Sequence, residues 1–290
     1  MSSRNRDAAS HVYLFGGHTQ HSFAPALWNY TFERLGVDAD YIAENVEAAH
    51  LPDALERLLD PEVMGANVTI PLKEAAARLA DRTDPDVAAT GATNWLYAKG
   101  TVLHAANTDV VAARKLTEGS WKQAMILGAG GGGAAVAAGL SAYTNRILVA
   151  DIEGARALAL CDRIRSWGIL ADAVDWDGRC ESVASSDVLV NATPLGMAGA
   201  LSEAAPVEVA WLSDSIRVYD LVYAPHETPL ARAARRLGLP LIDGLAHLYE
   251  QAVGLLPLMG VNGPKGAVVL AEGVNEAFAG RTGTDWASRS

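Results

Sequence analysis

Lys73 closes the run Gly65–Lys73, GANVTIPLK, in which Val68, Thr69 and Ile70 are β-formers at the end of a strand starting near Val63 and Pro71 suits the first turn of a following helix. A lysine in a first helical turn faces the positive end of the macrodipole and costs a few tenths of a kcal/mol relative to glutamate. Two readings stand: an ammonium snorkelling into water beside Glu74, or one aimed into a cleft at the carboxyl end of a strand, where open α/β sheets place ligands. A second signal lies downstream, where the apolar strand Gln123–Leu127 runs into Gly128-Ala129-Gly130-Gly131-Gly132-Gly133 and a small-residue helix, Ala134–Leu140. Glycines there let backbone approach a pyrophosphate and leave the helix N–H groups facing it. The next strand, Arg146–Ala150, ends in Asp151, 23 residues beyond Gly128 and near the roughly 20 expected for the carboxylate that takes the adenosine ribose hydroxyls. Asp151 also reads as an N-cap for the helix starting near Glu153, and both jobs can share one residue. An aspartate repels the 2′-phosphate of NADP and Ile152 offers no guanidinium to receive it, so NAD is favoured. Arg156, one turn on, leaves NADP open.

These residues need a scaffold, and alternating patterns supply it. A strand at His11–Gly17, a helix at Ala24–Leu35, a strand at Asp40–Asn45 and a helix at Pro52–Leu59 precede the Val63 strand and a helix at Leu72–Arg82. Thr93–Lys99 and Val102–Ala106 flank Gly100 as a hairpin. Further strands are expected at Asp187–Ala192 and Arg217–Val222, then helices at Leu245–Leu256 and Pro264–Phe278 with no strand between. The fold class is therefore α/β, with two domains: a discontinuous one from 1–117 and 244–290, and a Rossmann-like dinucleotide-binding one from 118–243.

At 290 residues the chain has room for two cores, and 50% hydrophobic with 20% charged residues is ordinary for a globular protein. About ten residues at each end are expected to be disordered. No run approaches eighteen apolar residues and no signal-peptide core is present, so the expectation is a cytoplasmic protein without a membrane segment. A net charge of −11 argues against nucleic acid. Cys161 and Cys180 lack metal-ligand spacing and read as free thiols, so no metal is expected.

Seven motifs, in order, resemble the shikimate/quinate dehydrogenase family: GANVTIPLK, GATN (Gly91–Asn94), ANTD (Ala106–Asp109), GAGGGGA (Gly128–Ala134), NATPLGM (Asn191–Met197), DLVYAP (Asp220–Pro225) and DGLAHLYEQA (Asp243–Ala252). The resemblance implies an NAD(P)-dependent dehydrogenase of the kind found in aromatic amino acid biosynthesis, with Lys73 and Asp109 as catalytic pair. It further implies Ser22, Asn67, Thr69, Asn94, Tyr223 and Gln251 at the substrate, and Gly128, Ala129, Gly130, Gly131, Gly132, Gly133, Asp151, Thr193, Leu221 and Gly244 at the cofactor. The substrate it implies is a hydroxylated cyclic carboxylic acid, and a homodimer is compatible with it. Apart from the resemblance, Asp109 with Thr108 reads as a cap of the helix Asp109–Leu116. A silent regulator that binds NAD or a cyclitol acid is the alternative, although such a protein needs no proton-transfer pair.

Departures from the family's pattern bear on the substrate. Where two serines usually serve a carboxylate, the chain has Ser22-Phe23-Ala24-Pro25, so one hydroxyl is missing and His18, Thr19 or water is left to replace it. A hydrogen bond to a charged group is worth about 1.5–3 kcal/mol. Ala246-His247 replaces a usual Gly-Met, the histidine being either a packed residue or a new polar contact, and Trp28 and Trp95 are bulkier than expected beside their motifs. Together these point to an altered preference among quinate, shikimate, an amino analogue or another hydroxylated ring.

Overall fold

The structure, a computed structural model, describes residues 10–277 apart from the side chains of His21 and Ala277. The tails expected to be disordered, and Phe278 at the end of the last expected helix, lie outside those residues, except Ser10, which opens the first strand. Tertiary contacts divide the chain into two compact units, Met1–Thr108 with Ala252–Ser290, and Asp109–Gln251.

In chain order the elements are β1 (Ser10–Gly16), α1 (Ala24–Leu35), β2 (Ala39–Asn45), α2 (Leu51–Glu56), β3 (Val63–Val68), α3 (Lys73–Leu79), β4 (Arg82–Thr83), α4 (Pro85–Thr90), β5 (Trp95–Lys99), β6 (Val102–Ala106) and α5 (Thr108–Leu116). They continue as β7 (Ala124–Leu127), α6 (Gly131–Leu140), β8 (Arg146–Ala150), α7 (Gly154–Ser166), β9 (Leu170–Ala173), α8 (Arg179–Ala184), β10 (Val188–Asn191), β11 (Arg217–Asp220), α9 (Pro229–Leu237), β12 (Leu241–Ile242), α10 (Gly244–Leu255) and α11 (Gly263–Ala277).

The first unit holds a six-stranded sheet ordered β2-β1-β3-β5-β6-β4. β1 runs parallel to β2 and β3, and the β5–β6 hairpin adds to β3 antiparallel. Val12, Tyr13, Leu14 and Phe15 of the central β1 are all buried, as expected of a parallel strand covered on both faces. One face carries a core of Phe15, Leu51, Leu58, Val68, Leu72 and Leu96. The C-terminal segment closes the unit through α11: a Cβ on Gly273 would lie 2.9 Å from Leu27 of α1, and Arg34 meets Glu272 at 3.5 Å.

Local chemistry corrects the sequence reading around the Val63 strand. β3 stops at Val68, and Pro71 sits in a turn before the helix, not in its first turn; the Ile70–Pro71 peptide is cis and the Leu72 N–H donates to Thr69 O at 2.9 Å. The following helix ends at Leu79, because Arg82–Thr83 leaves to pair in parallel with β6 and Asp81 accepts the Leu103 N–H at 2.8 Å. Side-chain and edge-strand bonds of this kind leave no periodic trace, which is why β4 and α4 were not expected.

The second unit is wholly parallel, ordered β12-β11-β10-β7-β8-β9. Ala124–Leu127 is fully buried. α6 begins at Gly131, inside the glycine run, and its small residues let it sink between neighbours: a Cβ on Gly139 would lie 2.6 Å from that of Ala113 on α5. Among the described residues no helix is long and apolar enough to cross a membrane, and no His, Cys, Asp and Glu cluster is arranged to hold a metal.

Candidate active site

Three motifs of the first unit converge on one sheet edge because of strand direction. β3 ends at Val68, β5 starts opposite it with Asn67 paired to Trp95, and β6 ends where Trp95 pairs with Ala106. The turn carrying Thr69, the bend carrying Asn94 and the exit into α5 therefore share an edge. The Asn94 carbonyl accepts the Val68 N–H at 2.9 Å and the Asn67 amide at 3.0 Å, while its side chain exchanges two 2.9 Å bonds with Thr108. Asn67 also accepts the Tyr41 hydroxyl at 2.8 Å, reached across β1. Both asparagines are thus held in fixed rotamers, with Asn67 6% and Asn94 3% exposed. Lys73 is the first residue of α3, half-buried, and its carbonyl takes the Thr93 N–H at 3.1 Å, tying it to the same edge.

Around the missing serine, the Ser22 oxygen accepts the Ala24 N–H at 3.2 Å, which leaves the hydroxyl hydrogen to donate. Thr19 is a poor replacement, since its hydroxyl donates to Asn45 at 2.9 Å. Trp28 stacks on Tyr41 at 6.2 Å, and the Trp95 ring covers Gly65, where a Cβ would fall 2.5 Å from it. Both tryptophans are core residues supporting β2 and β3, a role sequence bulk did not reveal.

In the second unit every expected cofactor residue follows the carboxyl end of a parallel strand: Gly128 after β7, Asp151 after β8, Thr193 after β10, Leu221 after β11 and Gly244 after β12. Gly128 has φ +95, and a Cβ there would meet Ala192 at 2.8 Å; one on Gly133 would lie 2.0 Å from Gly128 O. Ala129 and Gly130 form the bend, Gly132 approaches Leu221 to 3.2 Å from an added Cβ, and α6 carries no acidic residue in its first turn. The bend is one that only glycine permits at positions 128 and 133, and the first turn of α6, free of acidic residues, suits an anion.

Asp151 is not the helix cap: that position falls to Glu153, and Asp151 instead accepts the Ala129 N–H at 2.7 Å and the Glu153 N–H at 2.9 Å. Its carboxylate is oriented by backbone, and each oxygen retains a lone pair for a ribose hydroxyl. The Arg156 guanidinium lies beside the bend, 3.2 Å from where a Gly130 Cβ would be. Thr193 donates to Asn191 at 2.6 Å, Asn191 donates to Asp220 at 2.9 Å, and Thr228 donates to Asp220 at 2.5 Å. That network braces two strand-end loops, and burial pushes the Asp220 carboxyl up to about 6. The strand-end motifs pointed to Asn191 and Asp220, but not to Thr228.

Asp109 stands in the first turn of α5, 5% exposed, and within this unit faces His247 of α10, whose Nε2 lies 3.4 Å from its Oδ1. His247 is held in turn by the hydroxyl of the fully buried Tyr219, 2.5 Å from Nδ1. Gln251 lies one turn beyond His247 on α10, and Tyr223 is half-buried in the loop after β11.

Residues 14–96 match the profile of the shikimate dehydrogenase substrate binding domain. A shikimate dehydrogenase (NADP(+)) of Afipia carboxidovorans is 37% identical over 247 residues, which is 83% of this chain and 87% of that protein. Shikimate 5-dehydrogenase from Thermus thermophilus, solved with NADP(H) and shikimate, has a TM-score of 0.79 at 29% identity, covering 92% of this chain and 99% of that one. Quinate dehydrogenase from Corynebacterium glutamicum, solved with NAD, has a TM-score of 0.80 at 29% identity, covering 91% and 99%. The likeness reaches beyond either unit alone, and the chain belongs to the shikimate dehydrogenase family of NAD(P)-dependent oxidoreductases acting on a CH–OH donor.

Proposed function

We propose that the protein reversibly oxidises a ring hydroxyl of shikimate, quinate or a related hydroxylated cyclic carboxylic acid, preferring NAD, with Lys73 and Asp109 as the catalytic pair. The observation that carries the reading is the retention of both residues at their motif positions, on a chain whose relatives are named as dehydrogenases. The glycine cradle and the backbone-held Asp151 fit a dinucleotide. When bound, the nicotinamide takes the hydride of the alcohol carbon. Lys73, in its neutral form, takes the hydroxyl proton, and Asp109 orients the lysine. Asn67, Thr69, Asn94 and Gln251 hold ring hydroxyls; Ser22 and Tyr223 serve the carboxylate. Substrate-binding residues thus come chiefly from 1–117 and 244–290 and cofactor-binding ones from 118–243.

The NAD preference rests on the carboxylate of Asp151 and on Ile152, which is 83% exposed and uncharged. A homodimer in the cytoplasm completes the proposal, checked by sedimentation and cell fractionation. Nicotinamide absorbance, followed with quinate, shikimate and amino analogues and with each cofactor, tests the core of it. Lys73→Ala is expected to lower kcat by about 10²–10⁴ with cofactor affinity unchanged. Near-normal turnover in that variant removes the catalytic pair, and binding without turnover across the whole panel removes the enzyme.

A further inference from the structure

We infer that His247, braced by the Tyr219 hydroxyl, is a positioning residue for the Asp109 carboxylate. The inference rests on the proposed catalytic role of Asp109. α10 is otherwise apolar here, with Leu245, Ala246, Leu248 and Tyr249 all buried, and a polar ring in that setting needs partners on both nitrogens. Tyr219 is fully buried, and burial, aided by the negative charges of Asp109 and Glu250, pushes its hydroxyl well above its ordinary value. It therefore keeps its hydrogen, and the neutral hydroxyl is a hydrogen-bond partner for Nδ1 of His247. A carboxylate oxygen only accepts, so Nε2 of His247, which faces Oδ1 of Asp109 at 3.4 Å, is the nitrogen that carries a hydrogen toward it.

The remaining charged neighbours leave this assignment intact. Glu250, one turn along α10, is paired with Lys115 of α5 at 2.9 Å, and Asp243 is engaged by Arg235 at 3.5 Å and by the Ala246 N–H at 3.0 Å. The chain Tyr219–His247–Asp109 thus runs from β11 through α10 to α5, all within the second unit. One oxygen of Asp109 is held by a donor, which stops the carboxylate from rotating. The 3.4 Å separation is long, and catalytic hydrogen bonds of this kind tighten in the substrate complex.

Variants in the full-length protein test this: His247→Met, His247→Gln, Tyr219→Phe and the double variant Tyr219→Phe/His247→Met, with Asp109→Asn, alone and combined with His247→Met, and Lys73→Ala as references. His247→Met is expected to lower kcat about ten- to a hundredfold, the value of a hydrogen bond to a charged group, with substrate KM nearly unchanged. His247→Gln, which keeps a donor and an acceptor, is expected to recover most of that loss. Tyr219→Phe should lower kcat by itself but add nothing in the His247→Met background, and His247→Met should add nothing to Asp109→Asn. Wild-type kcat in both His247 variants, or additive losses in the double variant, overturns the inference. If Lys73→Ala and Asp109→Asn also turn over normally, the catalytic pair itself has failed; if those two are inactive while the His247 variants are normal, only the positioning role has.

Discussion

At the end of β8 the Asp151 carboxylate is held by the Ala129 N–H at 2.7 Å, and its negative charge sits beside the glycine bend. Asp151→Asn should keep that acceptor while removing the charge that repels a 2′-phosphate. The ratio of kcat/KM for NADP over NAD is expected to rise about tenfold or more, one charge contact being worth at least about 1.4 kcal/mol in this setting. An unchanged ratio would show that some other residue sets cofactor choice.

Asp220 makes a second, pH-dependent case. Its folded carboxyl titrates at about 6 against an ordinary 3.8, so the folded protein binds the proton more tightly than the unfolded chain. Its favourable contribution is complete below about pH 4 and is lost as pH rises through about 6, on the order of 3 kcal/mol in all. The stability of wild type minus that of Asp220→Asn, from urea denaturation, should fall by about that much between about pH 4 and pH 7. A difference independent of pH would contradict the burial argument.

Elements followed periodicity where it was strong. Ala24–Leu35 and Arg146–Ala150 have the boundaries the pattern implies, whereas β4, β12 and α4, of two, two and six residues, are too short to show a period. The α6 start was expected three residues late because glycine has poor helix propensity, and tertiary packing overrides it. Gly133 shows the strength of that packing. A methyl group there would collide with the Gly128 carbonyl at 2.0 Å, both atoms being held by backbone, so Gly133→Ala must open the turn. NAD(P) binding is expected to weaken by at least about tenfold with a Tm drop of several degrees, read by fluorescence titration and calorimetry. Wild-type affinity would mean the turn does not cradle the dinucleotide.

For the whole molecule, connectivity separates the two units. The second is one continuous stretch with its own parallel sheet, while the first needs α11 packed on α1 to complete it. A fragment of residues 109–251 is therefore expected to fold alone, melting cooperatively by circular dichroism and retaining NAD(P) binding, whereas a fragment of residues 1–108 should not. Failure of the first fragment to fold would mean that its core, centred on Met125, Leu127, Leu189 and Val218, is insufficient by itself. The two-unit plan was readable from the order of the motifs. The membership of α5 was not, because nothing in a sequence pattern reveals which neighbour a helix of small residues will lie against.

The missing side chain at position 139 has one more consequence, for anyone recombining this chain with a relative. Gly139 admits α6 to within touching distance of Ala113, so the stretch bearing Asp109 and the stretch bearing the glycine bend have been fitted to each other. A hybrid joined near residue 118 would inherit those two surfaces from different parents, whereas a junction just ahead of residue 109 would transplant them together.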